Sequence, residues 1–170
     1  MDHVLDARVR RLARGRSRTA SLRVRGAEGY EVLMDNAAEV STKVPARVVE
    51  HLAQRYGGEA RTLVAMVERD ARLGEPLVEG TPYLKAEALY AARYEMAITL
   101  DDILSRRTRA RLLARDASLK AAPEVAALVA EDLGWDAAEQ AAQVERYERL
   151  VDAEREAAVE HHVPLDAPAT

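Results

Sequence analysis

Residues 75–115 read EPLVEGTPYLKAEALYAARYEMAITLDDILSRRTRARLLAR, and this stretch decides the fold class of the chain. Its apolar residues recur every three or four positions, a spacing that is typical of a helix with one buried face. Thr81 and Pro82 predict a helix start, because threonine caps free N–H groups and proline at the first position loses no hydrogen bond. We expect this helix to run to about Ala97. One of its faces would carry Tyr83, Glu87, Tyr90 and Tyr94.

A second helix is predicted to begin at Thr99. Thr99 and Asp102 have the T-x-x-D spacing of a capping box, in which each residue satisfies a free N–H group near the other. Ile98 and Ile103 occupy the positions of a hydrophobic staple, so we expect them to pack together.

Charged residues of both signs accompany these two helices. We interpret them as a structural ion-pair cluster that joins the helices, because arginine can meet a carboxylate with two hydrogen bonds. The alternative is a phosphate or nucleotide site, which the similar number of acids beside the bases disfavours. The predicted cluster consists of Glu87, Glu95, Asp101, Asp102, Arg106, Arg107 and Arg109.

The flanking sequence also predicts helices. Pro45 starts one that Gly57 ends, residues 59–69 form the next, and residues 71–80 form a turn-rich connection. After Arg109 we expect further helix, with Leu112, Leu113 and Leu119 pointing inward.

Towards the C-terminal end, Pro123 is expected to open a helix that Gly134 ends. Asp136 and Glu139 form a D-x-x-E capping box for a last helix that extends to about Glu160. With no convincing strand, the fold class is predicted to be all-α, an irregular bundle of about six or seven helices.

Composition limits the function classes. The chain has 170 residues and no cysteine, which excludes disulfides, thiol nucleophiles and cysteine-ligated metals. We expect no signal peptide, and no apolar run approaches the roughly 20 residues of a transmembrane segment. We therefore expect a cytoplasmic protein.

Charge is distributed unevenly along the chain. Residues 1–25 hold eight arginines and two aspartates, whereas residues 116–170 hold thirteen acids and four bases. A basic arm can bind nucleic acid, but no aromatic residue lies between these arginines to stack on bases, so we predict no nucleic-acid partner. The alternative is an arm that packs on an acidic surface, such as the tail of the same chain.

No catalytic, cofactor-binding or metal-binding residue is assigned. His161–His162 lacks a carboxylate at helical spacing to complete a metal site. His51 has no nucleophile beside it in the sequence, and the Glu87/Glu95 pair is interpreted as salt-bridged rather than as acid–base machinery. Gly57–Gly58 is interpreted as a helix stop and start, not as a phosphate-binding loop.

Four runs of sequence carry a family resemblance: HLAQRYGGEAR (51–61), EPLVEGTPYLKAEALYAARYEMA (75–97), TLDDILSRRTR (99–109) and APEVAALVAEDLGW (122–135). In this order and spacing they resemble the C-terminal domain of FAD-dependent glycerol-3-phosphate dehydrogenases and alpha-glycerophosphate oxidases. The resemblance covers roughly residues 44–147.

The resemblance implies a domain organisation. Residues 1–26 would be a closing helix and linker left from an upstream FAD domain, residues 27–162 a helical C-terminal domain, and residues 163–170 a disordered tail. The parent enzyme would be an oxidoreductase that oxidises sn-glycerol 3-phosphate to dihydroxyacetone phosphate, passing electrons through FAD to a quinone or to oxygen. Many family members associate with membranes, which would place the parent at the inner face of one.

The chain itself is expected to be inactive and to bind no FAD, because the family's catalytic and flavin-binding residues lie in domains that its sequence does not match. Its expected partner is the FAD-binding and cap domain, which it would stabilise, and a homo-oligomer is also left open. The alternative is a free-standing helical interaction module that uses the basic arm and the acidic C-terminal region. An independent enzyme is the weakest reading.

Overall fold

The computed structural model describes residues 19–22, 24 and 26–160 of the chain. The predicted closing helix and linker of residues 1–26 lie mostly outside the described residues. His161–His162 and the tail of residues 163–170 lie wholly outside them.

The described residues form eight α-helices and no strand. The helices are α1 (Tyr30–Asp35), α2 (Ala37–Val40), α3 (Ala46–Tyr56), α4 (Ala60–Arg69), α5 (Lys85–Tyr94), α6 (Ala110–Leu113), α7 (Arg115–Leu133) and α8 (Ala137–Glu160). A π-helical segment covers Asp102–Arg107, and short 3₁₀ turns cover Gly57–Glu59 and Ala71–Gly74. The all-α class is confirmed.

Helix α5 lies between two hydrophobic cores. Ala88, Leu89 and Ala91 pack into the core formed with α7, α8 and the π-helical segment. Ala86 and Tyr90 pack into the other core, formed with α1 to α4. Small residues on α5 allow its neighbours to approach closely from both sides, so this helix holds the domain together.

The predicted start of α5 at Thr81–Pro82 is wrong. The Thr81 hydroxyl donates to the Val78 carbonyl at 2.8 Å and so closes a turn instead of capping the helix. Tyr83 and Leu84 are then held beside residues 76 and 77, where the Leu77 amide donates to the Tyr83 carbonyl at 2.7 Å. Because this pairing keeps Leu84 extended, α5 begins only at Lys85.

Helix α5 also ends earlier than the sequence predicts, at Tyr94 rather than Ala97. Met96 has a φ of 58°, in the left-handed region that cannot continue a right-handed helix. The chain therefore turns away directly after the helix.

The capping box at Thr99 is confirmed. The Thr99 amide donates to Asp102 Oδ2 at 3.1 Å, and the Asp102 amide donates to Thr99 Oγ1 at 3.1 Å. The hydrophobic staple is wrong, because Ile103 is fully buried whereas Ile98 is 67% exposed. The helix that this box opens is mainly a π-helix, which the sequence spacing does not reveal.

Two expectations for the region after Arg109 are wrong. Leu112 and Leu113 are exposed, not inward. Pro123 lies inside α7, which begins eight residues earlier at Arg115. Burial of Ala122 and Val125 on either side of the proline offsets the backbone hydrogen bond that proline cannot donate.

The end of α7 and the start of α8 follow the prediction more closely. Gly134 ends α7 in the left-handed conformation, and α8 is helical from Ala137 up to Glu160, the last residue that the structure describes. Asp136 Oδ1 accepts from the Glu139 amide at 2.8 Å, which is the first half of the predicted box. The Glu139 carboxylate is turned along the helix instead, where it accepts from Gln143 Nε2 at 3.0 Å.

The Gly57–Gly58 turn is in close contact with the segment before α1. The Gly58 amide donates to the Gly26 carbonyl at 2.7 Å. A Cβ atom would lie 2.0 Å from the Gly26 oxygen if added to Gly57, and 1.9 Å from the Glu28 oxygen if added to Gly58. Only glycine allows these two backbones to meet.

Replacing Gly58 by alanine should therefore destabilise the domain by about 3 kcal/mol, since residues 26–28 must move away from the turn. The control is Gly134→Ala, where a Cβ meets no atom within 4 Å and the cost is only the left-handed backbone, about 1 kcal/mol. Urea denaturation of both variants measures the difference. Equal losses would contradict the close backbone contact.

Candidate functional site

The carboxylate of Glu87 is fully buried and lies between α5 and α3. Its Oε1 accepts from Arg55 Nε at 2.7 Å and from the Tyr56 hydroxyl at 3.1 Å. Its Oε2 accepts from the Leu84 amide at 2.7 Å and lies 3.0 Å from His51 Nε2. Four partners surround one carboxylate, so its hydrogen-bonding capacity is filled without water.

Arg55 links this carboxylate to the π-helical segment. Its Nη2 donates to the Arg107 carbonyl at 2.8 Å, and its guanidinium group lies 4.6 Å from the centre of the Tyr83 ring. Burial alone would lower the pKa of Arg55, but the charge of Glu87 raises it above the usual value. Burial and the same carboxylate raise the pKa of the Tyr56 hydroxyl far above its usual value. Arg55 therefore stays charged and Tyr56 stays protonated.

Arg107 in turn holds the end of α5. Its Nε and Nη2 atoms donate to the Glu95 carbonyl at 3.0 and 2.6 Å. The Glu95 carboxylate lies 3.9 Å from Arg107 Nε, a looser ion pair. Burial raises the pKa of Glu95, and the charge of Arg107 opposes that change. The main effect of Arg107 is thus to fix the backbone just before Met96.

Asp101 and Asp102 form a separate group. Arg106 pairs with both, with 3.0 Å between its Nη2 and Asp101 Oδ2 and with its Nη1 facing Asp102 Oδ1. Arg111 Nη1 lies 3.0 Å from Asp101 Oδ1. Burial alone would raise the pKa of Asp102, but its hydrogen bonds from Thr99 and the charge of Arg106 lower it below the usual value.

The structure thus places six of the seven residues of the predicted cluster in three separate groups and leaves Arg109 outside them. Glu87 faces α3, Glu95 meets Arg107, and both aspartates meet Arg106. Arg109 is exposed and forms no ion pair within residues 26–160.

Sequence reasoning missed the partners of Glu87 on α3. His51 and Arg55 are four residues apart, so they share one face of that helix. The spacing could have indicated a polar face, but it does not indicate which carboxylate the face meets.

A shallow pocket lies beside the Glu87 network. Its volume is about 250 Å³, and its lining residues are Arg55, Tyr56, Glu59, Tyr90, Tyr94 and Glu95. The Tyr90 ring packs edge-on against Tyr56 at 5.1 Å between centroids and tilted against Tyr94 at 4.9 Å. Tyr90 donates its hydroxyl hydrogen to Glu59 Oε2 at 3.2 Å. The pocket therefore presents aromatic rings next to carboxylates.

The Gly57–Gly58 turn does not fit the pyrophosphate of a dinucleotide. The carbonyl oxygens of Gly26 and Glu28 already occupy the space that such a group would need, and the Gly58 amide is bonded to the first of them. Within residues 26–160, no group of three or more histidines and acids is arranged to hold a metal ion. None of the described helices is both long and apolar enough to cross a membrane.

Residues 17–140 match the model of a protein family described as the C-terminal domain of alpha-glycerophosphate oxidase. The chain belongs to this family. As a member, it is also similar to a set of glycerol-3-phosphate dehydrogenases. Glycerol-3-phosphate dehydrogenase 2 of Mycobacterium tuberculosis is 40% identical over 139 residues, which are 80% of this chain and 24% of that protein.

Two further relatives are similar to this chain to a comparable extent, and again only over a short part of their own length. The glycerol-3-phosphate dehydrogenase of Mycobacterium leprae is 37% identical over 76% of the chain and 22% of the relative. A probable mitochondrial glycerol-3-phosphate dehydrogenase of Dictyostelium discoideum is 34% identical over 69% of the chain and 18% of the relative. The chain thus spans about a quarter or less of the length of these relatives. No solved structure matches it.

Replacing Glu87 by glutamine should destabilise the domain by about 3 kcal/mol, because the charge of Arg55 would lose its buried partner. In addition, the NH₂ group of the glutamine side chain would face groups that already donate hydrogen bonds at this position. The matched control is Glu95→Gln, which removes the looser ion pair and should change stability by less than about 1 kcal/mol. Chemical denaturation measures both. A loss of under 1 kcal/mol for Glu87→Gln would contradict the central place of this carboxylate.

The lowered pKa of Asp102 predicts a pH dependence. A carboxyl whose pKa is lower in the folded state stabilises the fold above its unfolded value, and this contribution is lost as the pH falls through the folded pKa. At pH 7 Asp102→Asn should cost about 1 kcal/mol, since it removes charge at a helix start. The difference from the unchanged chain should shrink below pH 3.8.

Denaturation curves between pH 2 and pH 7 test this expectation. Glu148→Gln, the same change at an exposed carboxylate of α8, is the control and should give no such trend. A difference for Asp102→Asn that stays constant over the whole pH range would refute it.

Proposed function

We propose that the chain acts as the C-terminal helical domain of an FAD-dependent glycerol-3-phosphate dehydrogenase. The observation that carries this proposal is the family match over residues 17–140, combined with the short part of each relative that the chain spans. The whole protein would oxidise sn-glycerol 3-phosphate with FAD. Residues 1–26 would be the connection to the FAD domain, residues 27–162 the domain itself and residues 163–170 a tail.

The role proposed for the domain is to pack against the FAD domain and stabilise it. Hydrogen bonding within the domain supports this role, as the four partners of Glu87 illustrate. A carboxylate that is buried and fully hydrogen-bonded has no free capacity for a substrate. We therefore assign no catalytic step to this chain.

The surface proposed to meet the FAD domain is the loop that follows α5. Met96 is 85% exposed and Ile98 is 67% exposed, although both are large and apolar. The backbone at the start of the loop is positioned by Arg107, which donates two hydrogen bonds to the Glu95 carbonyl. Exposed apolar side chains on a fixed backbone are suited to docking, because little conformational entropy is lost on binding.

In the whole enzyme, the double variant Met96→Asp/Ile98→Asp should release flavin at a temperature several degrees lower than the unchanged enzyme. Placing two charges in an apolar interface costs free energy that only the assembled protein experiences. Flavin fluorescence during heating measures the release. Met96→Leu/Ile98→Val is the control and should behave as the unchanged enzyme.

The same double variant should leave the unfolding temperature of the isolated domain unchanged, because both side chains are exposed there. An unchanged flavin-release temperature in the whole enzyme would contradict docking through this loop. A yellow chromophore present at one per molecule in the purified isolated chain would contradict the expectation that this domain binds no flavin.

The alternative function is a free-standing interaction module based on the basic arm and the acidic C-terminal region. Ion pairs within α8 argue against this alternative, because Glu139, Glu145 and Asp152 each already pair with an arginine of the same helix. Binding through the arm should weaken steeply between low and high salt, whereas docking through apolar side chains should not.

A further inference from the structure

A slot of about 300 Å³ lies between the first two turns of α3 and the loop that leads into α5. Its volume is at the small end of the range for ligand-binding pockets, and most of its walls are apolar. We call it the His51 slot. The side chains that line it are those of Arg47, Val48, His51, Pro76, Pro82 and Leu84.

The backbone on the loop side of the slot offers few hydrogen-bond donors. Pro76 and Pro82 carry no N–H group. The amide of Leu84 is already used, because it donates to Glu87 Oε2 at 2.7 Å. Recognition of a bound molecule therefore falls to the two polar side chains that α3 contributes.

The first of these side chains, His51, is oriented by the buried carboxylate of Glu87. The His51 side chain is 22% exposed, and its Nε2 lies 3.0 Å from Glu87 Oε2. An ionised carboxylate that pairs with Arg55 can only accept hydrogen bonds, so the ring hydrogen must lie on Nε2. In the neutral ring Nδ1 is then an acceptor, and no described residue bonds to it. His51 thus offers a fixed acceptor to a molecule in the slot.

The second polar side chain, Arg47, supplies a positive charge. It lies four residues before His51, so both project from one face of α3. Arg47 is exposed and forms no ion pair with any described residue, whereas Arg55 on the same helix is paired with Glu87. A free guanidinium group can bind a carboxylate with two hydrogen bonds. The slot therefore places a cation and a hydrogen-bond acceptor side by side next to apolar walls.

We propose that the His51 slot binds a small hydroxy acid with an apolar body. The carboxylate of the ligand pairs with Arg47, its hydroxyl group donates to His51 Nδ1, and its hydrocarbon part packs on Val48 and Leu84. A hydroxyl group next to a carboxylate suits two side chains that are one helical turn apart. Glu87 is a positioning residue that holds His51 and does not touch the ligand. The site needs no flavin, so it goes beyond the function proposed above.

Fluorine NMR with the full chain tests the proposal, using para-fluorophenyllactate as a hydroxy acid with an aromatic body. The probe should bind saturably, with a Kd on the order of 1 mM. Para-fluorophenylpropionate lacks the hydroxyl group and para-fluorophenethyl alcohol lacks the carboxylate, so each should bind about fivefold more weakly or worse. No binding of the hydroxy acid up to about 20 mM, or equal binding of the three compounds, would overturn the proposal.

Nitrogen NMR of the His51 ring gives a readout that does not depend on affinity. At a pH where the ring is neutral, its hydrogen should lie on Nε2. The hydroxy acid should move the Nδ1 resonance towards that of a hydrogen-bonded nitrogen, whereas para-fluorophenylpropionate should not. A hydrogen on Nδ1 of the free chain would contradict the assigned acceptor.

A matched pair of variants assigns the charged contact. Arg47→Gln should weaken binding of the hydroxy acid about fivefold and leave the alcohol unchanged, because only the acid carries a charge. Arg61→Gln, which removes an exposed arginine of α4 outside the slot, should change neither. Equal affinity of the acid for Arg47→Gln and the unchanged chain would refute the pairing. In the whole enzyme the Arg47-dependent part of the binding should remain, and its loss would overturn the proposal by showing that a neighbouring domain covers the slot.

Discussion

The structure depends on the placement of one buried charge. Glu87 belongs to the first turn of α5, and burying its carboxylate is tolerable only if hydrogen bonds replace the lost water. The Leu84 amide supplies one of them and fixes where α5 begins, whereas Arg55 and Tyr56 bind the carboxylate to α3. Arg55 then reaches the Arg107 carbonyl, so the same charge also positions the π-helical segment.

The two faces of α5 serve different purposes because of this network. Ala88, Ala91 and Leu89 face a core that can form by close apolar packing alone. Glu87 and Tyr90 face α3 and α4, where every polar atom needs a specific partner. The apolar face tolerates substitutions of similar volume, whereas the polar face specifies a single arrangement of α3 against α5.

Features that depend on neighbours within a few residues could be predicted from the sequence. The Thr99–Asp102 capping box and the left-handed Gly134 follow from local spacing and from backbone preference. The start of α5 could not be predicted in this way, because the pairing of Leu77 with Tyr83 overrides the signal of Thr81 and Pro82. A local signal for a helix start is overridden where pairing with another segment of the chain satisfies more backbone N–H and C=O groups.

The ion pairs illustrate the same limit. The sequence places four acids and three arginines near one another, but Glu87 finds its partner on α3, thirty-two residues away. Leu112 and Leu113 satisfy an apolar periodicity and are nevertheless exposed. Periodicity indicates which residues share a face, and only the packing of the whole chain determines whether that face is covered.

The loop after α5 is the part of the domain best suited to contact a second domain. Holding Met96 at a positive φ costs about 1–2 kcal/mol, and its side chain, 85% exposed, gains no packing within the domain. The two hydrogen bonds from Arg107 to the Glu95 carbonyl offset that cost. Apolar contacts with a second domain would give the strained, exposed loop the packing that it lacks here, and under our proposal the FAD domain provides them.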